Sequence, residues 1–219
     1  MSQLTFSRHE FDNRLRNVRA RMADAGIDLL LASDPANMNY LTGYDGWSFY
    51  VPQLVALPLE AGGPLWIGRA MDAAGARLTV YMPDDKVIGY PETYVQARER
   101  HPLDFIAEYL CRSGWDGKRI GVETDSYYFS PKAYARLRDG MPHATFVDAD
   151  LLVNWVRAVK SEAELACMRD AARLVGRVMR AAYEAIEPGQ RQCDAIAAIY
   201  AAQIGGDPEF SGDVTGLCP

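Results

Sequence analysis

Lys160 to Ile186 reads KSEAELACMRDAARLVGRVMRAAYEAI, and the spacing of its apolar residues decides how the chain is divided. Leu165, Met168, Ala172, Val175, Met179, Ala182 and Ile186 recur at alternating steps of three and four. That period keeps one stripe on one side of a helix. Ser161 followed by Glu164 has the pattern of a capping box, in which each residue satisfies an amide donor left open at the helix start. Pro188-Gly189 ends the run. A helix of roughly 26 residues is about 39 Å long, and only about thirty residues follow it. So few residues do not cover such a stripe and close a core. The expected division is an α/β domain over residues 1–158 and the start of a second, incomplete domain over 159–219.

Composition narrows the class. With 49% hydrophobic and 24% charged residues among 219, the chain is long enough to bury a substantial core. A net charge of −6, with both signs mixed along most segments, argues against a nucleic-acid binder, which would show a basic patch. Cys111, Cys167, Cys193 and Cys218 have no CxxC spacing and read as free thiols in a reducing compartment. The polar start MSQLTFSRHEFD has no apolar signal-peptide core. No apolar run approaches the ~20 residues that span a bilayer. A cytoplasmic protein, free of membrane, is the expectation.

Upstream of Lys160, helices and strands alternate, as in a sheet with helices packed on it. Ser7 and Glu10 open a helix carrying Phe11, Leu15, Val18 and Met22, and Gly26 closes it in the position where a left-handed residue is wanted. Ile27 to Ala32 is apolar at every position but Asp28, the pattern of a strand buried on both faces. Ser33-Asp34-Pro35 starts a turn or short helix running to Gly43. Further strands are expected at Gln53–Leu59, Leu65–Gly68, Lys86–Tyr90, Arg119–Glu123 and Ala144–Val147, with weak helical character over Met71–Leu78. Helices are expected from Leu103 to Leu110 and from the Ser130-Pro131 cap to Arg138. After the long helix, Cys193 to Ile204 is a second amphipathic helix and Glu209 to Pro219 the entry to a strand.

The stretch with the most chemistry is Tyr44-Asp45-Gly46-Trp47-Ser48-Phe49-Tyr50. Glycine-punctuated and dense in rings, it suits a loop offering flat faces to a small organic cation, which the ring quadrupole attracts. It equally suits a protein interface, or plain cover for the sheet edge. The carboxylates offer less. Asp84-Asp85 reads as a solvated turn, and Glu123 with Asp125 ends a strand without an identifiable His or Lys partner, which favours a turn over catalysis. His9, His101 and His143 are scattered and read as structural. No GxGxxG, HExxH or GxSxG pattern occurs. No catalytic or metal-ligating set is assembled by these residues.

Two motifs carry a resemblance. Asn37-x-x-Tyr40-Leu41-Thr42-Gly43 resembles a motif in the N-terminal domain of the creatinase/prolidase (pita-bread) superfamily. Arg157-Ala-Val-Lys160-Ser161-x-x-Glu164-Leu165-x-x-Met168-Arg169-x-Ala171 resembles the junction of that N-terminal domain with the catalytic one. Within the superfamily the run YDGWSFYVPQ and the ending GGDPEFSGDVTGLCP are most similar to the ectoine hydrolases. The resemblance implies an N-terminal domain with a mixed sheet flanked by helices, followed by the first helices of a pita-bread α+β domain. It implies hydrolytic opening of ectoine's cyclic amidine, with Xaa-Pro peptidase and creatinase as other activities of the superfamily. It also implies a homodimer in which this domain reaches over the partner's active site. Tyr44, Asp45, Trp47, Phe49 and Tyr50 would then wall the substrate pocket in trans. Metal ligands, or the His and Glu residues of the creatinase-like branch, fall downstream of position 219, so the cofactor stays open. The chain is expected to be part of a longer enzyme and inactive by itself. A stand-alone dimerisation module is the non-enzymatic alternative.

Overall fold

A computed structural model of the chain describes residues 5–60 and 62–206. The strand entry expected from Glu209 onward, and Cys218, lie outside the described residues. The chain divides into two compact units, Met1–Val159 and Lys160–Pro219.

The first unit is a six-stranded mixed sheet with helices on both faces. Its chain order is α1 (Arg8–Asp24), β1 (Leu29–Ala32), α2 (Pro35–Thr42), β2 (Leu54–Pro58), β3 (Leu65–Arg69), α3 (Ala70–Thr79) and β4 (Val87–Tyr90). It continues with α4 (Pro102–Arg112), β5 (Arg119–Val122), α5 (Pro131–Gly140), β6 (Thr145–Asp148) and α6 (Leu152–Ala158). Across the sheet the strands run β4-β3-β2-β1-β5-β6. β1, β5 and β6 are mutually parallel, β2 is antiparallel to β1 and to β3, and β4 is parallel to β3.

The four residues of β1 are all buried, and their alternation explains why. Leu30 and Ala32 join the core formed with Leu15, Val18 and Met22 of α1, while Leu29 and Leu31 point to the core formed with Ile106 and Leu110 of α4. A strand covered on both faces needs apolar residues at every position. Each large aliphatic side chain so buried stabilises the fold by ~1.5–3 kcal/mol.

Helix ends follow local chemistry. Ser7 Oγ accepts from Glu10 N at 3.2 Å, whereas Glu10 Oε1 accepts from Arg14 Nε at 3.0 Å. Ser130 Oγ accepts from Ala133 N, with Pro131 in the first helical position. His101 is itself a cap: its Nδ1 accepts from Leu103 N at 3.2 Å and Asp104 Oδ2 accepts from His101 N at 2.7 Å.

The second unit contains α7 (Glu162–Ala185) and α8 (Gln192–Ile204), packed on each other. The capping box at the start of α7 is complete: Ser161 Oγ accepts from Glu164 N at 3.2 Å and Glu164 Oε2 accepts from Ser161 N at 2.9 Å. The half-buried face of α7 runs through Leu174, Val178, Ala181 and Ala185. Met168, Val175, Met179 and Ile186 of the stripe read from the sequence are exposed.

Candidate functional site

The turn from β1 into α2 and out to the aromatic loop is built by Asn37–Gly43. Asp34 caps α2 by accepting from Ala36 N and Asn37 N. Thr42 Oγ1 donates to Met38 O at 2.7 Å and accepts from Tyr44 N at 3.1 Å, so one hydroxyl closes the helix and starts the loop. Gly43 is left-handed at φ +79, and a Cβ there would lie 3.1 Å from Phe11 and 3.3 Å from the Thr79 carbonyl. Only glycine meets both demands.

Asn37 lies in a buried polar network. Its Nδ2 donates to Glu123 Oε1 at 2.7 Å and to Asn154 Oδ1 at 2.8 Å, and its Oδ1 accepts from Arg157 Nη1 at 2.7 Å. Glu123 Oε2 also accepts from Ser33 N at 2.6 Å and Asp34 N at 2.8 Å. Burial pushes the Glu123 carboxyl up from its ordinary value, against the donors from Asp34, Asn37 and Ser33, which favour the ionised form. The sequence places Glu123 at the end of a strand and favours a turn over catalysis, with no sign of its burial. The residue is 3% exposed and ties the segment after β1 to the segment after β5, because those strands are neighbours. Asp125 is exposed.

The aromatic loop separates its five candidate residues. Tyr44 is buried, its ring 5.3 Å from that of Trp66, and burial pushes its hydroxyl up to about 12. Gly46 crosses directly over that ring, since a Cβ there would stand 2.8 Å from the Tyr44 hydroxyl oxygen. Asp45 is exposed, with its amide donating to Thr79 Oγ1 at 3.2 Å. Trp47, Phe49 and Tyr50 are exposed and touch in sequence, Trp47–Phe49 at 5.8 Å and Phe49–Tyr50 at 5.3 Å between ring centroids.

A hydrogen-bonded relay joins the two ends of this loop. The Tyr44 hydroxyl donates to Gln53 Oε1 at 3.1 Å, and Gln53 Nε2 donates to Asp72 Oδ2 at 3.0 Å. Arg69 Nη2 donates to Asp72 Oδ1 at 2.9 Å, and Arg69 Nη1 donates to the Tyr50 hydroxyl at 2.9 Å. Tyr44 therefore anchors the loop from beneath, while Trp47, Phe49 and Tyr50 present their rings. Gln53 just before β2, Arg69 at the end of β3 and Asp72 in α3 were not singled out from the sequence, because nothing local to those segments marks them. Tyr128, whose ring lies 6.4 Å from that of Trp47, and Tyr127 beside it follow β5 and were likewise missed, although adjacent tyrosines beyond a strand end are a visible signal.

Among the described residues no group of three or more His, Cys, Asp or Glu side chains is placed to hold a metal ion. What the loop offers is ring faces, with the Asp45 carboxylate beside them.

The family model for the creatinase/prolidase N-terminal domain matches residues 14–159. Ectoine hydrolase of Halomonas elongata is 47% identical over 222 residues, covering 99% of this chain and 55% of that protein. An uncharacterised hydrolase/peptidase of Sinorhizobium fredii is 44% identical over 212 residues, 97% of this chain and 54% of that protein. Among solved structures, the Xaa-Pro dipeptidase from Bacillus anthracis has a TM-score of 0.68 at 16% identity, covering 88% of this chain and 48% of that one. The prolidase from Pyrococcus horikoshii has a TM-score of 0.67 at 16% identity, covering 90% and 50%. The chain spans about half the length of the curated relatives it matches.

Proposed function

The chain belongs to the creatinase/prolidase N-terminal-domain family, and on that premise we propose that it is the N-terminal portion of an ectoine-hydrolysing enzyme. The observation that carries this reading is the match to the ectoine hydrolase of Halomonas elongata, which runs almost the whole length of this chain. In the reaction, water adds to the amidine carbon and one ring C–N bond breaks. That carbon is left as an acetyl amide on one nitrogen, and the other nitrogen leaves as an amine. The product is N-acetyl-diaminobutyrate.

In this reading the protein is a cytoplasmic homodimer. Trp47, Phe49 and Tyr50, with Asp45 beside them and Tyr44 beneath, wall the partner subunit's pocket. The exposure of those rings supports the role, since large rings on a surface are commonly contact residues. Their ring faces suit an amidinium, whose positive charge is spread over a flat group. Residues 1–219 by themselves do not turn over ectoine.

The test is turnover of ectoine by the full-length protein, followed by proton NMR for loss of the ring and appearance of the acetyl amide. The expected outcome is one acetylated diaminobutyrate per ectoine consumed. Hydrolysis of an Xaa-Pro dipeptide or of creatine, with ectoine untouched, would overturn the substrate and favour the other activities of the family. Inertness toward all three would favour a dimerisation module.

A further inference from the structure

Two loops, not one, carry rings at the end of the sheet where the parallel strands β1 and β5 finish. The Trp47 and Tyr128 centroids are 6.4 Å apart at 75°, and those of Tyr127 and Tyr128 are 5.5 Å apart at 83°. Joined to the Trp47–Phe49 and Phe49–Tyr50 contacts, these make an unbroken row of five rings from Tyr50 to Tyr127. Tyr127 is 87% exposed and Phe49 68%. Four of the five rings are exposed and Tyr128, which joins the two loops, is half-buried. A contiguous row of this kind contributed by separate segments marks a contact surface rather than scattered surface residues.

Charge selects what the row contacts. The segments 44–50 and 124–128 contain Asp45 and Asp125 and no Lys or Arg. Among the described residues no ion pair engages either carboxylate. Arg69, the cation that reaches the row at Tyr50, has its own charge matched by Asp72 at 2.9 Å and Glu92 at 3.6 Å. Ring faces flanked by uncompensated carboxylates attract a cation and repel an anion.

We propose that Tyr127 and Tyr128 are ligand-contacting residues of the same wall as Trp47, Phe49 and Tyr50, and that this two-loop row takes a small delocalised organic cation of the amidinium class. For its occupant the proposal rests on the preceding reading, in which the substrate ring carries an amidinium. Stacking on ring faces holds such a group flat and leaves its central carbon open from the opposite side. Glu123 is the positioning residue: by accepting from Ser33 N, Asp34 N and Asn37 Nδ2 it holds the start of the second loop in register with the segment that leads to the first.

The experiment measures ectoine kinetics and calorimetric binding of acetamidinium chloride on the full-length protein and its Trp47→Ala, Tyr127→Ala, Tyr127→Phe and Tyr128→Ala variants. Tyr127 is exposed, so its replacement leaves the core untouched. Tyr127→Ala and Tyr128→Ala are expected to raise KM about five-fold with kcat held, and Tyr127→Phe, which keeps the ring, to behave as wild type. If Trp47→Ala raises KM while both tyrosine-to-alanine variants leave it unchanged, the two-loop row is overturned and the substrate reading stands. If wild type does not hydrolyse ectoine, that reading has failed and acetamidinium decides the row. Saturable binding weakened by Trp47→Ala and by Tyr127→Ala supports it, and absence of saturable binding overturns it. A variant that shifts the monomer–dimer equilibrium while cation affinity and KM stay at wild-type values makes the row a subunit contact and overturns the cation site.

Discussion

Arg157 Nη1 donates to Asn37 Oδ1 at 2.7 Å, across 120 positions of sequence. Arg157 lies in α6, the last helix of the first unit, and Asn37 in α2, just beyond the first strand. The same asparagine amide nitrogen donates to Glu123 and to Asn154, so one side chain joins the exit helix to the ends of two neighbouring strands. An asparagine suits this position because it donates and accepts at once.

Asn37→Asp removes both donated bonds and sets a second carboxylate against Glu123. Arg157 still meets the new carboxylate, but the repulsion from Glu123 and the acceptors left without a donor on Glu123 and Asn154 are expected to cost about 3 kcal/mol of unfolding free energy. Urea denaturation of the protein measures it. A loss below about 0.5 kcal/mol, the size of an ordinary surface change, would mean that the network does not hold the domain together.

Glu123→Gln tests the same network through pH. Because burial raises the folded carboxyl above its ordinary value of 4.5, folding takes up a proton in the window just above that value. Stability from this group therefore weakens as pH rises through the window and levels off above the folded value. The glutamine variant is expected to be about 1–3 kcal/mol less stable at neutral pH, since its amide nitrogen meets donors. Its stability should also lack the wild-type slope in that window. Parallel pH curves for the two proteins would refute the assignment.

His101 works in the opposite direction. Burial lowers its value below 6.5, and its Nδ1 must be unprotonated to cap α4. The unfolded chain then binds the proton first, so stability is complete above pH 6.5 and declines as pH falls through the range below it. His101→Ser keeps a capping oxygen without the titration, and is expected to hold its stability across that range. His101→Ala should lose about 1 kcal/mol at neutral pH. Thermal melts between mildly acidic and neutral pH distinguish these outcomes.

Gly46→Ala probes the loop from below. A methyl there would stand 2.8 Å from the Tyr44 hydroxyl, so either the loop lifts or Tyr44 gives up its bond to Gln53. Both shift Trp47 and Phe49. The full-length variant is expected to show a several-fold higher KM for ectoine, equivalent to about 1 kcal/mol. An unchanged KM would show that the loop's exact height does not matter to the substrate.

Much of the architecture was legible along the chain. The apolar run ending at Ala32, the Ser7, Ser130 and Ser161 caps, and the left-handed glycine at 26 each depend on a residue and its neighbours within one helical turn. The Tyr44–Tyr50 stretch was legible as rings on a loop, but its division was not. That Tyr44 turns inward follows from its packing against Trp66, which strand β3 supplies. The long stripe on α7 was likewise real as a period. Which face of that helix is half-buried is a matter of packing, and the face through Leu174 and Val178 is the one so placed.

By itself the sequence determined the elements, their caps, the family motifs and the acidic, ring-rich character of one loop, because backbone preference and hydrophobic period act over a few residues. Only the tertiary structure decided that Asn37 meets Glu123 and Arg157, and that Trp47 meets Tyr128. Those meetings depend on β1 lying beside β5. Strand order is set by the packing of the whole sheet between its two helical layers, and no local preference along the chain encodes it.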